Sequence, residues 1–179
     1  FLILLAEAAE AEFAPVPLLA LLKHPLCACG MNAAEFRARV RELDRLVLRG
    51  VRPHPGLAGI EKAVAQNKSL AAWFEPVAAI LEPVEDISDA RAIAITDAIG
   101  AHVKAAEHLV ATNEETGASR LYRGEAGEAA TNLISEFWKA AADLPDIEFK
   151  SYATLFASLA QERAIRPAFG KHPRLSILG

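Results

Sequence analysis

Apolar residues recur along most of this chain at the three- and four-residue spacing that places them on one face of an α-helix. After Asn32, which can cap a helix with Glu35 three residues later, this spacing predicts a helix that runs to about Leu48. The apolar face of this helix consists of Phe36, Val40, Leu43 and Val47. Strict alternation of apolar and polar residues, which is typical of a half-buried strand, is not evident. The pattern therefore predicts a helical protein.

The same spacing predicts six further helices. Four of them cover residues 18–23, 57–66, 125–142 and 151–161. The fifth is capped by Ser69 and crosses Pro76, and the sixth runs from residue 88 or 89 to about 110. The apolar positions keep their phase across Pro76, which predicts one kinked helix there and not two. Residues 51–56 form a connector with two prolines and a glycine, and residues 113–119 form a polar loop.

Composition agrees with this pattern. The chain has 179 residues, of which 53% are hydrophobic and 23% are charged, and this balance is typical of a globular protein. Ala and Leu are abundant, and both lose little side-chain entropy in a helix. We predict an all-α fold with short strand segments at the chain ends, the last at Leu175–Leu178. Residues 1–162 form the helical domain, and residues 163–179 form an exit segment that leads into a larger protein.

The bulk properties exclude several classes of protein. A formal net charge of -4 gives no general argument for binding nucleic acid, so such binding depends on local patches. The longest apolar runs are far shorter than the roughly 20 residues of a membrane span. A signal peptide is not recognisable. We therefore predict a cytoplasmic protein that does not enter a membrane.

Motifs for catalysis or cofactor binding are missing from the sequence. Gly170 and Lys171 resemble part of a phosphate loop, but Ile165 stands where a glycine is needed and His172 where Ser or Thr is needed. Cys27 and Cys29 are separated by one residue and have no second ligand pair, which favours small buried residues over a metal site. We predict no catalytic residue, metal or cofactor within this chain.

Two groups of cations are candidate contacts for DNA or for another domain. Arg37, Arg41 and Arg45 recur every four residues beside the apolar face of the helix that Asn32 begins, and such a row can neutralise phosphates. The alternative is a solvated face with pairs inside the helix, such as Arg41 with Asp44. The second group lies in the exit segment, which has no acid from residue 163 onwards. Its candidate contacts are Arg166, Lys171 and Arg174.

Three sequence blocks resemble a known family. They are residues 14–26 (Ala-Pro-Val-Pro-Leu-Leu-Ala-Leu-Leu-Lys-His-Pro-Leu), residues 123–130 (Arg-Gly-Glu-Ala-Gly-Glu-Ala-Ala), and Arg166-Pro167 with residues 171–179 (Lys-His-Pro-Arg-Leu-Ser-Ile-Leu-Gly). In this order they resemble the AddB family of alphaproteobacteria. Its members are subunits of an ATP-dependent helicase–exonuclease that acts in recombinational repair of double-strand breaks.

The resemblance implies a fold and a set of partners. It implies a UvrD-like helicase in which a helical accessory domain is inserted into the second motor domain, and this chain would be that insertion. DNA and an AddA-like helicase–nuclease subunit would be the partners, in the cytoplasm of a bacterium. The ATP, Mg and iron–sulfur sites of the family would lie outside residues 1–179.

An alternative function is an all-helical ligand-binding or dimerisation domain of a regulatory protein. Four aromatic residues would line its pocket. They are Trp73, Phe74, Phe137 and Trp138.

Overall fold

Helices account for the architecture of the chain. The computed structural model describes residues 1–163. Its helices are α1 (Leu2–Glu10), α2 (Pro15–Leu22), α3 (Ala33–Leu43) with a π-helical turn directly after it (Asp44–Leu48), α4 (Leu57–Val64), α5 (Lys68–Asp89), α6 (Ile95–Val110), α7 (Gly117–Leu121), α8 (Gly124–Ala141) and α9 (Phe149–Gln161). The only β-pairing in residues 1–163 is an isolated antiparallel bridge between Ile93 and Ile147. The all-α prediction is therefore confirmed.

The prediction of strand at both chain ends is wrong for the first end. Residues Leu2–Glu10 form α1, because the apolar run continues into alanines and glutamates, which are strong helix formers. Leu5 and Ala6 of this helix are buried. The second predicted strand, Leu175–Leu178, lies outside the described residues.

The predicted helix from residue 88 or 89 to 110 is wrong at its beginning. Helix α5 continues through Pro76, as predicted, and also through Pro83 to Asp89. The hydroxyl of Ser88 donates to the Glu85 carbonyl at 2.8 Å and caps no new helix. Ile93 then pairs with Ile147, through N–H···O distances of 2.9 and 3.0 Å. A distant partner therefore interrupts the helix, and the local pattern carries no sign of that partner.

In three helices, α3, α5 and α7, the side chain of the N-cap residue itself caps the helix start. The Asn32 side chain accepts hydrogen bonds from the backbone N–H of Ala34 at 2.9 Å and of Glu35 at 3.5 Å, which confirms the predicted cap of α3. Helix α5 is capped by Asn67, which accepts from the N–H of Leu70 at 3.1 Å, so the prediction of Ser69 is wrong.

The predicted polar loop at residues 113–119 also needs correction. Thr116 caps α7, and its hydroxyl accepts from the N–H of Ser119 at 3.3 Å. Gly117 lets this short helix pack on α6, because a Cβ there would lie 1.6 Å from the carbonyl oxygen of Glu107. This close approach to another helix is a tertiary contact.

The core lies where α1, α5, α6 and α9 meet. Its largest fully buried side chains include Phe13, Phe36, Phe74, Tyr152 and Phe156. Burial of one such side chain contributes about 1.5–3 kcal/mol relative to exposure. Cys27 is also buried, as predicted, and Cys29 is partly buried. Burial raises the pKa of the Cys29 thiol to about 11, so the thiolate form that binds metals is disfavoured at neutral pH.

Candidate nucleic-acid interface and an apolar groove

The arginine row of the sequence lies on α3 and the π-helical turn. Arg37 is partly buried, whereas Arg41 and Arg45 are exposed. Arg41, Arg45 and Arg49 line an open groove of about 550 Å³. We call this the arginine groove. Arg37 is on the same row but does not line it.

The π-helical turn shapes this groove. The backbone N–H of Arg49 donates to the carbonyl of Asp44, five residues earlier, at 3.1 Å. The same five-residue spacing brings the Arg49 guanidinium onto the Asp44 carboxylate, with Nε 3.0 Å from Oδ1 and Nη2 3.3 Å from Oδ2. π-Helical turns are rare in proteins, and those that occur are often found at functional sites.

Asp44 decides which cations are neutralised. Its carboxylate also accepts a hydrogen bond of 2.6 Å from Lys23 Nζ, at the end of α2. The hydrogen bonds from Arg49, and then from Lys23, lower the pKa of Asp44 to about 2. Asp44 is therefore ionised at neutral pH, and its carboxylate forms ion pairs with both Lys23 and Arg49. The pair of Arg41 with Asp44, considered in the sequence, does not form.

The predicted cations differ in their surroundings. Within residues 1–163, no carboxylate lies within ion-pair distance of Arg37, Arg41 or Arg45. Arg39, between them, pairs with Glu42 at 3.0 Å. The predicted contacts Arg166, Lys171 and Arg174 lie outside the described residues.

A second concavity was not predicted from the sequence. It lies between α1, α7, α8 and α9 and has a volume of about 570 Å³. Its apolar lining includes Leu2, Ile3, Leu121, Leu133 and Phe156, with Ala126, Gly127, Ala129, Ala130 and Ala160 along α8 and α9. We call this the apolar groove.

Three arginines stand among the lining residues of the apolar groove. Arg123 donates through Nη2 to both oxygens of Glu115, at 2.9 and 3.1 Å. Arg120 donates to the carbonyl of Val110, and its Nε lies 3.9 Å from Glu115. The third is Arg163, the last residue of the described chain. Arg123 keeps its Nε and Nη1 donors, because a guanidinium has five N–H groups.

Arg163 joins the end of the described chain to α8. It forms an ion pair with Glu136, in which Nη1 lies 3.3 Å from Oε1. This pair lowers the pKa of the Glu136 carboxyl, because the guanidinium favours its charged form. Arg163 therefore sits at the edge of the apolar groove at neutral pH as part of an ion pair.

The apolar groove unites two of the blocks that carry the family resemblance. Leu26 from residues 14–26 lines it, together with Arg123, Ala126 and Ala130 from residues 123–130. These blocks are far apart in sequence and meet only through folding. A single sequence does not show which helices pack together, so it could not have predicted this groove.

The four aromatic residues of the alternative function do not form one pocket. Trp73 packs against Phe36, with ring centroids 5.5 Å apart, and Phe74 is fully buried. Phe137 stacks on Tyr152 in the core. Trp138 is 46% exposed and lines a separate concavity together with Tyr122 and Ile134. Helix phase separates the adjacent residues 137 and 138.

Comparisons with protein-family models, with curated proteins and with solved structures find no match to this chain. In the described part of the chain, no group of three or more His, Cys, Asp or Glu side chains is arranged to hold a metal ion. Among the helices of residues 1–163, none combines the length and apolarity needed to cross a bilayer.

Proposed function

We propose that this chain is a non-catalytic helical portion of an AddB-like subunit of an ATP-dependent DNA helicase–exonuclease, acting in recombinational repair of double-strand breaks. The three sequence blocks support the family, and the all-α architecture agrees with a helical accessory domain of a UvrD-like helicase. In this proposal the parent protein is a hydrolase of the bacterial cytoplasm, with an AddA-like subunit as its partner. ATP, Mg and an iron–sulfur cluster would be bound by other parts of that protein.

The role of this portion is to contact the phosphates of DNA. The observation that carries this role is the exposed pair Arg41 and Arg45, which lines the arginine groove and has no carboxylate of residues 1–163 within ion-pair distance. Asp44 leaves them free, because Lys23 and Arg49 occupy it. Two guanidinium groups on adjacent helical turns suit a polyanion better than a single small anion.

Sequence preference is not expected in this contact. Reading bases requires side chains that reach base edges or stack on base faces, and the lining of the arginine groove has no aromatic or amide residue. Phosphate contacts alone position a nucleic acid without reading it. The affinity of this portion alone should therefore be weak, independent of sequence and strongly dependent on salt.

The test is a salt titration of binding to a labelled single-stranded oligonucleotide. The variant carries Arg37→Ala, Arg41→Ala and Arg45→Ala. The control carries Arg91→Ala, Lys139→Ala and Lys150→Ala, three exposed cations on other elements, so both variants lose the same charge. We expect the slope of log affinity against log salt to fall by about 0.7 for each lost phosphate contact in the first variant alone.

Three results would contradict the proposed role. One is equal loss of affinity in the two variants, which would show that net charge alone governs binding. Another is the lack of measurable binding by the unaltered protein at low salt. Binding that persists without change at physiological salt would also contradict it, because contacts with phosphates are screened there.

A further inference from the structure

The apolar groove combines two properties that no other described concavity shares. Its lining is mainly apolar, and three arginines stand among the lining residues. The arginine groove, by contrast, is lined almost entirely by charged side chains. An apolar lining offers nothing to a phosphate backbone, but it can bury the apolar side chains of another polypeptide.

The charge of the groove selects the kind of polypeptide. Within residues 1–163, Arg120 and Arg123 share the single carboxylate of Glu115, so one positive charge is in excess at that end of the groove, whereas Arg163 pairs with Glu136. The side chain of Arg123 is 63% exposed and that of Arg163 is 36% exposed, so both can reach a bound segment. A guanidinium binds a carboxylate through two parallel N–H···O bonds, and Arg123 keeps free donors for this.

The shape of the groove favours a helix. Ala126 lies one turn before Ala129 and Ala130 on α8, and the three alanines form a wall without long side chains. Gly127 brings the start of α8 against Tyr122, because a Cβ there would lie 2.0 Å from the Tyr122 carbonyl carbon. A helix can approach such a wall closely and place its own apolar row on the groove, as in other helix-in-groove complexes.

We infer that the apolar groove is a docking site for an acidic amphipathic helix of a partner protein. The apolar face of this helix packs on Leu133 and Phe156, and its flanking carboxylates pair with Arg123 and Arg163. This inference goes beyond the proposed function and does not depend on it, because DNA would use the separate arginine groove.

The probe is a fluorescein-labelled synthetic peptide of Leu and Glu in an amphipathic helical pattern. The control peptide replaces every Glu with Lys and keeps the Leu positions. We expect the Glu peptide to bind at least tenfold more tightly in fluorescence anisotropy at physiological salt. Equal binding of both peptides, or binding of neither, overturns the inference, because both results show that the groove does not select an acidic helix.

Charge-reversal variants locate the site. The double variant Arg123→Glu and Arg163→Glu should weaken the Glu peptide at least tenfold and strengthen the Lys peptide. Its matched control is Arg91→Glu with Lys150→Glu, two exposed cations outside the groove, which should leave the preference for the Glu peptide unchanged. The same loss in both double variants would overturn the inference.

A third variant tests the apolar lining. Ala130→Trp fills the groove and should abolish binding of the Glu peptide. Circular dichroism shows whether this variant keeps its helices, and the charge-reversal pair decides the matter if it does not. Sedimentation tests the competing occupant, a second copy of the chain. Self-association that Ala130→Trp abolishes would overturn the inference in favour of that copy.

The peptide experiments and the oligonucleotide experiments test the two grooves independently, so either hypothesis can be contradicted without the other. The double variant Arg123→Glu and Arg163→Glu should bind the oligonucleotide no more weakly than its charge-matched control. Loss of peptide binding with normal oligonucleotide binding supports two separate surfaces. Loss of both together, beyond the control, would overturn the assignment of the apolar groove to protein.

Discussion

His102 on α6 and Tyr152 on α9 share a hydrogen bond of 2.7 Å inside the core. The Nε2 atom of His102 lies 2.9 Å from the carbonyl oxygen of Leu2 on α1. Because a carbonyl only accepts, Nε2 must carry the proton, and Nδ1 then accepts from the Tyr152 hydroxyl. The neutral imidazole is therefore fully bonded, and it joins three helices.

The first prediction follows from this buried imidazole. Burial lowers the pKa of His102 from 6.5 to about 4. Between these values the unfolded chain takes up a proton that the folded chain refuses, so the free energy of unfolding should fall as the pH falls. The expected slope from this one group is about 1.4 kcal/mol per pH unit. Urea unfolding across this pH window measures it.

The matched control for this prediction is His102→Gln. The glutamine amide can donate to Leu2 and accept from Tyr152, but it does not titrate. Between the two pKa values, unfolding of the variant should therefore take up about one proton fewer than unfolding of the unaltered protein. Its free energy of unfolding should accordingly change less with pH. Identical pH profiles of the two proteins would show that the folded chain protonates His102 as readily as the unfolded chain does, which would contradict the lowered pKa.

The second prediction concerns Asp44, which binds Lys23 and Arg49. Asp44→Asn keeps the shape but removes the charge, so the melting temperature should fall at neutral pH. The pKa of Asp44 is lowered from 3.8 to about 2, mainly by Arg49. The advantage of the unaltered protein is therefore complete above pH 3.8 and should disappear as the pH falls to about 2. Thermal melts at several pH values measure this.

The same variant also tests the arginine groove. Loss of the Asp44 charge releases Lys23 and Arg49, so affinity for a single-stranded oligonucleotide should rise at low salt while stability falls. The control is Asp97→Asn on α6, which removes the same charge from an exposed position. An equal rise in both variants would show that net charge, and not this groove, sets the affinity.

The third prediction compares two glycines in helices. A Cβ at Gly127 would lie 2.0 Å from the carbonyl carbon of Tyr122, which is backbone and cannot move aside easily. Gly127→Ala should therefore cost about 1–3 kcal/mol. A Cβ at Gly100 would meet only the ring of Trp138, at 3.7 Å. Gly100→Ala should instead stabilise α6 by about 0.5–1 kcal/mol. Urea unfolding of both variants measures these opposite signs, and a shared sign would contradict the packing described.

The fourth prediction concerns a cap supplied from another helix. The Glu85 carboxylate on α5 accepts a hydrogen bond of 2.6 Å from the N–H of Leu57, the first residue of α4. Glu85→Ala should cost about 1 kcal/mol, the usual value of an N-terminal cap. Glu85→Gln keeps an acceptor oxygen and should restore most of it. Faster amide exchange at Leu57 in the alanine variant alone would verify the cap, and equal exchange in both would contradict it.

Local patterns in the sequence determined most of the helices. Asn32 caps α3 because its side chain bonds to N–H groups two and three residues away. The apolar positions of α5 indicated one helix through Pro76 for the same reason, since helix geometry relates residues three and four apart. The placement of Arg37, Arg41 and Arg45 along one helix also follows from this spacing.

The sequence could not show which groups meet across the fold. The backbone of Ile93 pairs with that of Ile147 and so is not helical. Asp44 pairs with Lys23 and Arg49, and not with Arg41. The apolar groove likewise exists only because α1 and α8 come together around it. Ion pairs, bridges and grooves depend on distances through space, and only the packed chain sets those distances. The sequence by itself therefore determined most of the helices and the cations on them, while the tertiary structure decided which cations are paired and where the two grooves lie.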